Sequence, residues 1–306
     1  MKSVAEEEKS KPVASKKKQS SSLSLSFKNG RFGILYSIFW KKTRAKIGTC
    51  ILLFFFVLLI VGPFLYPYSP YAISGAKNQP PSLAHVFGTD YQGKDVLSQV
   101  IYGAYPSLLA GIVSALGGTI LGLLLGVIAG YFSKVEGAIS AASDVVITFP
   151  AIPLLVMIGM LYPQIDQLLI LALILILWPV AARAIRSQVL SVKNRPYVEA
   201  AKASGMGDWE IIRKIIIPEV TAIAFAWFVL SVATAIIILV ALEFLGVGSP
   251  DVVSWGSIFY WAQQFAFYSG DWWWVLAPGI SITLVTAAFA MIGFSLEEAM
   301  NPRLIR

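Results

Sequence analysis

Residues 197–219, YVEAAKASGMGDWEIIRKIIIPE, interrupt an otherwise apolar chain, and we call them the polar segment. Around them the sequence contains six apolar stretches, most of them about 20 residues or longer: 46–66, 105–131, 137–161, 166–185, 215–246 and 275–296. A helix of that length crosses a hydrocarbon layer of about 30 Å. The sequence therefore predicts an all-α membrane protein with six transmembrane helices.

Composition supports the same class. Hydrophobic residues make up 57% of the chain and charged residues only 13%, with a mean hydropathy of +0.73. That leaves too little polar surface to coat a soluble protein. Because the first apolar stretch follows a polar tail of about 45 residues and is long enough to span, we expect no cleaved signal peptide.

The basic residues predict the orientation. Residues 1–46 hold 12 of the 24 Lys and Arg, and seven more lie between Arg183 and Lys214. With six spans, only Lys77 and Lys94 fall on the opposite side. By the positive-inside rule, both termini and the polar segment are expected to be cytoplasmic in the plasma membrane. The net charge of +7 then reflects topology and contact with membrane lipid, and does not indicate nucleic-acid binding.

These patterns predict five regions. Residues 1–45 are expected to be a disordered basic tail, and 46–66 the first transmembrane helix. Residues 67–104 are expected to form an extracytoplasmic loop. A five-helix core should follow at 105–298, and residues 299–306 should form a cytoplasmic C-terminal tail.

Several kinds of catalytic site are disfavoured. Cys50 is the only cysteine and His85 the only histidine, so neither a His-based triad nor a multi-cysteine metal site can be assembled. Residues 88–95, GTDYQGKD, match the glycine and lysine spacing of a phosphate-binding loop, but Asp95 stands where a Ser or Thr would bind Mg²⁺. We expect a turn there, no cofactor bound by this chain, and no enzymatic activity.

Four glycines in the second apolar stretch predict close helix packing. Gly118, Gly122, Gly126 and Gly130 recur every four residues and so form one stripe on a helix. Such a stripe lets another helix approach closely. The pattern does not say whether that helix belongs to this chain or to another subunit.

Prolines and acidic residues mark candidate pathway positions. Pro150 and Pro153 are predicted to interrupt the third span, and Pro179 the fourth. A broken helix either lines a wet pathway or is packed inside protein. Asp144 is a candidate for the pathway or for a paired structural site, whereas Glu243 is expected at the outer end of its span.

The polar segment predicts two short helices joined by a turn at 196–217. Pro196 suits the first turn of a helix, and the alanines that follow favour helix. Gly205 is expected to end that helix in the left-handed conformation, and Asp208 to cap the second helix. Pro218 stands near the point where the chain re-enters the membrane.

The first of these helices has the composition of a docking surface. Ala200 and Ala201 are small enough to let a partner approach closely. Glu199 beside them offers a carboxylate to an arginine of that partner. We therefore expect the polar segment to bind another protein.

At this point the sequence resembles a known family. The residues that carry the resemblance are Glu199, Ala200, Ala201, Gly205, Ile215, Ile217 and Pro218. Their spacing resembles the EAA motif of ABC importer permeases, whose coupling helix fits a groove in a cytoplasmic ATPase. Ile217 stands where the family usually has Leu.

Further stretches resemble the dipeptide/oligopeptide subfamily. They are FGTDYQGKDVLSQVIYGAYPSLLAG from Phe87, WPVAARAIRSQVL from Trp178, LEFLGVG from Leu242, SWGSI from Ser254 and APGISI from Ala277. Together they cover about residues 85–303. The chain departs from the subfamily between Gly130 and Asp144, where a Gly pair and an Arg are missing, and at Glu297 and Glu298 in the tail.

The resemblance implies a type I ABC importer permease fold with a cytoplasmic coupling helix. The implied coupling residues are Glu199, Ala200, Ala201, Gly205, Asp208 and Pro218. The implied partners are a second permease, two ATPase subunits that bind ATP and Mg²⁺, and an extracytoplasmic substrate-binding protein. The implied substrate is a di- or oligopeptide, with oligosaccharide as the alternative.

A channel or secondary transporter would also explain six spans, broken helices and Asp144, but would give no role to the polar segment. Tryptophans 272–274, with Trp255 and Trp261, could stack on a sugar. Their place beside the last span instead favours an aromatic belt at the membrane interface.

Overall fold

Helices form most of the chain in the computed structural model, which describes residues 39–162, 166–249 and 251–300, without the side chain of Phe267. The helices are α1 (Thr43–Leu65), α2 (Val96–Tyr131), α3 (Ser133–Thr148), α4 (Ala151–Leu161), α5 (Asp166–Lys193), α6 (Pro196–Ala203), α7 (Asp208–Ile211), α8 (Ile217–Phe244), α9 (Trp255–Ser269) and α10 (Trp272–Met300). A π-helical turn, Ile212–Ile216, joins α7 to α8. Most of the predicted tail at 1–45 and the end of the predicted tail at 299–306 lie outside the described residues.

The predicted membrane class is confirmed. Within the described ranges five helices are long and apolar enough to cross a membrane: Thr43–Leu65, Val96–Tyr131, Asp166–Lys193, Asp208–Phe244 and Trp272–Met300. The third predicted span, 137–161, is instead two helices, α3 and α4, bent by 77°. It counts as a further span only if this bent pair crosses as a unit.

Two spanning helices begin earlier in the chain than the sequence predicted. α2 begins at Val96 rather than 105, because the carboxylate of Asp95 accepts a hydrogen bond from the backbone N–H of Ser98 at 2.7 Å and caps the helix. The GTDYQGKD stretch is a turn, and its last residue starts a spanning helix directly. The span that contains α7 and α8 likewise begins at Asp208 rather than 215.

The bundle has two ends of different chemistry. At the basic end, the start of α1 meets the end of α10 through an ion pair between Lys42 and Glu298. The end of α2 meets the start of α7 there. We call the opposite end, where α1 ends and α10 begins, the tryptophan end; Trp255 there donates from Nε1 to the carbonyl of Val100 at 3.0 Å.

The tryptophans correct another prediction. Trp255 is fully buried, Trp274 is 1% exposed and Trp273 is 9% exposed, all within one core cluster formed with α1, α2 and α8. The prediction of an interfacial belt is therefore wrong for these three. Only Trp272 of the triplet is well exposed, at 60%.

α9 was not predicted. Its 15 residues are too few to span a membrane, so they fall outside a search for spanning segments. Ser254 caps it: its hydroxyl accepts from the N–H of Ser257 at 3.0 Å, and the Ser257 hydroxyl accepts from the N–H of Ser254 at 2.8 Å. α9 lies across the tryptophan end, against α8 and α10.

Candidate functional site

The first helix of the polar segment, α6, is amphipathic. Pro196 occupies its first position, as expected. Val198 is fully buried in a cluster with Val189 and Val192 at the end of α5. Glu199 and Ala200 are exposed on the outer side, and Ala201 is half-buried. One face of α6 thus attaches the helix to the bundle and leaves the small-residue face free.

Gly205 ends this helix in a left-handed conformation with φ +85°. The N–H of Gly205 donates to the carbonyl of Lys202 at 3.0 Å, and that of Met206 to Ala201 at 3.1 Å. A side chain at 205 would meet nothing within 4 Å. Glycine is required there for its backbone conformation, and space is not the constraint.

Asp208 does not cap the second helix, which corrects the prediction. Gly207 is the capping residue, and Asp208 is the first helical residue. Its carboxylate instead accepts a hydrogen bond from the Tyr131 hydroxyl at 2.6 Å. Asp208 therefore joins the polar segment to the end of α2.

The predicted second short helix is the beginning of a spanning helix. α7 continues through the π-helical turn into α8, so Asp208–Phe244 is one helical span of 37 residues. The N–H of Ile217 bonds to the carbonyl of Ile212, five residues back. Pro218 follows immediately. A wider turn gives a proline ring room against the preceding carbonyl, which accounts for the π-helical turn at this position.

Tyr131 organises the base of the polar segment. This side chain is 4% exposed and contacts α5, α6 and α7. Its carbonyl accepts from Lys193 of α5, and its ring lies 5.1 Å from the ammonium of Lys202 in α6. Together with the bond to Asp208, these contacts hold α6 against the bundle at a defined position.

The glycine stripe lies on α5 of the same chain, which answers the question that the sequence left open. A Cβ at Gly122 would lie 2.8 Å from the Ala181 Cβ and the Trp178 carbonyl oxygen. At Gly126 it would lie 2.7 Å from the Ala182 carbonyl oxygen. Gly118 and Gly130 are equally close, to Leu177 and Val189. α2 and α5 run in the same direction at backbone contact distance.

Comparison with known proteins identifies the family. Residues 118–306 match the binding-protein-dependent transport system inner membrane component family. This chain belongs to that family. Residues 35–81 match the N-terminal transmembrane domain of oligopeptide transport permease C. The chain is therefore a multi-pass permease subunit of an ABC transport system in the plasma membrane.

Curated relatives agree with this assignment. A dipeptide transport system permease from Alkalihalophilus pseudofirmus is 35% identical over 269 residues, covering 86% of this chain and 88% of the relative. One from Bacillus subtilis is 35% identical, covering 87% and 84%. A glutathione transport system permease from Pectobacterium atrosepticum is 29% identical over 274 residues, covering 87% and 90%.

The predicted pathway residues lie on the outside of this single permease chain. Asp144 is exposed on α3 and pairs with Arg183 of α5. Pro150 caps α4 at the 77° bend, and Pro153 lies in the first turn of α4, where a missing N–H costs little. α5 continues through Pro179 without a break, contrary to the prediction.

Glu243 lies in the last turn of α8, near the expected outer end. It contacts α9: its carboxylate accepts from the Ser254 hydroxyl at 2.6 Å. A Cβ at Gly256 would lie 2.1 Å from Glu243 Oε2, so this glycine is needed for the contact. Sequence reasoning missed this junction, although LEFLGVG and SWGSI are the stretches that form it.

Proposed function

We propose that this permease imports di- or oligopeptides, and that ATPase subunits drive it through the polar segment. The observation that carries the proposal is α6: an outward face of Glu199 and Ala200 beside a buried Val198, held in place by Tyr131. The names of the relatives support peptides as the substrate. Of the five tryptophans that could have stacked on a sugar, Trp255, Trp273 and Trp274 are buried in the core cluster.

In this proposal the chain crosses the membrane six times, with the bent pair of α3 and α4 as one crossing. Both termini and the polar segment are cytoplasmic, and the tryptophan end faces outward. The distribution of Lys and Arg supports this orientation. A second permease would complete the pathway beside the exposed Asp144, Pro150 and Pro153, and an extracytoplasmic binding protein would deliver substrate to the tryptophan end.

ATP and Mg²⁺ would bind to two partner ATPase subunits, and this chain would bind no cofactor. ATP-driven closure of the ATPases moves the permease pair between inward-open and outward-open states. Shifting such an equilibrium from one state to the other requires about 5.5 kcal/mol of differential affinity. A docked, rigid α6 transmits that free energy, whereas a loose loop would not.

Cysteine crosslinking tests the proposal. The single cysteine allows a clean background: Cys50→Ser removes it, and Ala200→Cys then places one thiol on the outer face of α6. The complex is purified gently from its own membrane, and its partners are identified by mass spectrometry. We expect crosslinks from Ala200→Cys to an ATPase and none from Ile73→Cys, an exposed position at the other end. A complex without an ATPase, or an Ala200→Cys variant that forms no crosslink to one, would contradict the proposed coupling through α6.

A further inference from the structure

A polar cavity of about 250 Å³ lies at the tryptophan end. It is bounded by the loop between α1 and α2, by the segment before α9, and by α9 and α10. Its charged lining residues are Asp90, Lys94 and Asp251, and its aromatic lining residues include Tyr91, Trp261 and Trp274. At ~30 Å³ for each water, the space would hold about eight waters.

Three lining groups have no partner within the described part of the chain. Lys94 and Asp251 form no ion pair there. Trp274 is 1% exposed, yet its indole N–H has no acceptor among those residues. A buried donor without an acceptor costs about 1–3 kcal/mol. The cavity therefore offers an ammonium for a negative group, at Lys94, and a carboxylate for a positive group, at Asp251.

The wall that carries Lys94 is rigid. Both carboxylate oxygens of Asp90 accept hydrogen bonds within the protein. The donors are the backbone N–H groups of Gln92 (2.8 Å) and Lys94 (2.9 Å) and the side-chain amide of Gln99 (2.8 Å). Tyr91 stacks on Phe265 at 4.1 Å between ring centroids. These contacts fix the backbone of Lys94 at the edge of the cavity, so the site exists before a ligand arrives.

Aromatic rings complete the lining. Tyr91 also stacks on Trp274 at 5.6 Å between centroids. Burial, and next the charge of Asp90, raise the pKa of the Tyr91 hydroxyl, so it stays neutral at physiological pH. The π faces of a neutral tyrosine and tryptophans attract an ammonium group.

We propose that this cavity binds a small zwitterion with a free amino and a free carboxyl group, of the size of a short dipeptide. The carboxylate lies at Lys94, and the ammonium lies at Asp251 beside the aromatic rings. The inference rests on the proposed function and extends it, because it gives the permease its own contact with a peptide's termini.

The charged residues of the tryptophan end also fit a zwitterionic ligand. In the described chain the tryptophan end carries two Lys, Lys77 and Lys94, no Arg, and one histidine, His85, which pairs with Asp95. It carries the acidic residues Asp90, Asp95, Asp166, Glu243, Asp251 and Asp271. Most of these carboxylates are bonded within the protein, among them Asp90 and Asp95, whereas Lys94 and Asp251 in the cavity are not. A simple anion or a simple cation would therefore match only one of the two. A zwitterion carries no net charge and matches both Lys94 and Asp251.

Equilibrium binding tests the inference. The transport complex, purified without its binding protein and reconstituted in lipid nanodiscs, is titrated with radiolabelled Ala-Ala. We expect saturable binding that competes with unlabelled Ala-Ala, and at least tenfold weaker competition by N-acetylated or C-amidated Ala-Ala.

Two variants locate the site. Lys94→Met and Asp251→Asn should each weaken binding about tenfold. Neither side chain has a described partner, so neither change should lower the melting temperature of the complex. Lys77→Met is the matched control: it removes the other lysine at the same end, outside the cavity, and should leave binding unchanged.

Three results would overturn the inference: no saturable binding, equal competition by blocked dipeptides, or equal effects of Lys77→Met and Lys94→Met. A fourth would be that Lys94→Met weakens attachment of the ligand-free binding protein but not Ala-Ala binding, since the cavity would then be a docking pocket for protein. None of these would affect the proposed function. Failure of the complex to contain ATPases, or to import peptide with its binding protein, would overturn that function.

Discussion

Glycines serve opposite purposes in the α2–α5 interface and in the polar segment. In the interface, a Cβ at Gly122 would collide with two atoms of α5, one of them a backbone oxygen, whereas at Gly205 and Gly207 it would meet nothing within 4 Å. In the first region the missing side chain lets two backbones touch. In the second it lets the chain turn and leaves a surface open. The interface is therefore built for stability, whereas the polar segment keeps the exposed surface that the proposed docking requires.

The sharpest test of this difference is Gly122→Leu. The nearest obstacles include the carbonyl oxygen of Trp178, which cannot move cheaply, so we expect a loss of about 3 kcal/mol or more, or failure to assemble. Thermal unfolding in detergent measures it. Gly137→Leu is the control, because Gly137 also lies within a helix but has nothing within 4 Å. Equal melting temperatures of the two variants would contradict a packing role for Gly122.

The polar segment should show the reverse pattern with Glu199→Lys. Glu199 is exposed and makes no described contact through its side chain, so the melting temperature should change little. Reversing its charge should weaken ATPase copurification tenfold or more and lower stimulated ATPase activity. Glu199→Gln, which keeps the size, should have a smaller effect. Unchanged copurification with Glu199→Lys would contradict the assigned role.

The turn glycines allow a finer comparison within the polar segment. Gly205 has φ +85°, whereas Gly207 has φ −71°. Both have free space around them, so Gly205→Ala tests backbone conformation alone. We expect Gly205→Ala to destabilise the turn by about 1–2 kcal/mol and Gly207→Ala to be nearly neutral. Hydrogen exchange of residues 197–207 measures the change, and similar protection in both variants would refute it.

Tyr131→Phe should have the smallest effect. It removes the bond to Asp208 but keeps the ring near Lys202, and Asp208 remains accessible to solvent. We expect a loss of about 1 kcal/mol in attachment of the polar segment, seen as faster exchange there. Tyr105→Phe is the matched control, since Tyr105 is 59% exposed and has no described partner. If both variants behave alike, Tyr131 does not organise this region.

The sequence predicted what depends on apolar length and on single conformational requirements. Stretches of 20 or more apolar residues correctly indicated spanning helices, and Gly205 indicated a helix end because only glycine enters the left-handed region at low cost. The α2–α5 contact was half predicted: a four-residue glycine repeat indicates close packing but carries no information on which helix packs there.

The errors arose where one contact decides the outcome. Asp208 has the composition of a cap, but Tyr131, far away in sequence, binds its carboxylate. Pro179 was expected to break α5, yet the helix continues. The cavity at the tryptophan end combines residues from positions 70 to 274, so no local pattern could have indicated it.

The unbroken path from Asp208 to Phe244 makes this part of the permease a lever. Its 37 residues, at 1.5 Å each, extend about 55 Å. If this span tilted by about 5° about its end beside α6, its far end would move by about 5 Å, close to one helical pitch. At that far end the carboxylate of Glu243 accepts a hydrogen bond from Ser254, which caps α9. The α9 residues Ser257, Ile258 and Trp261 line the cavity. If ATPases act on the polar segment as proposed, their movement would reach the wall of this cavity through a single helical span.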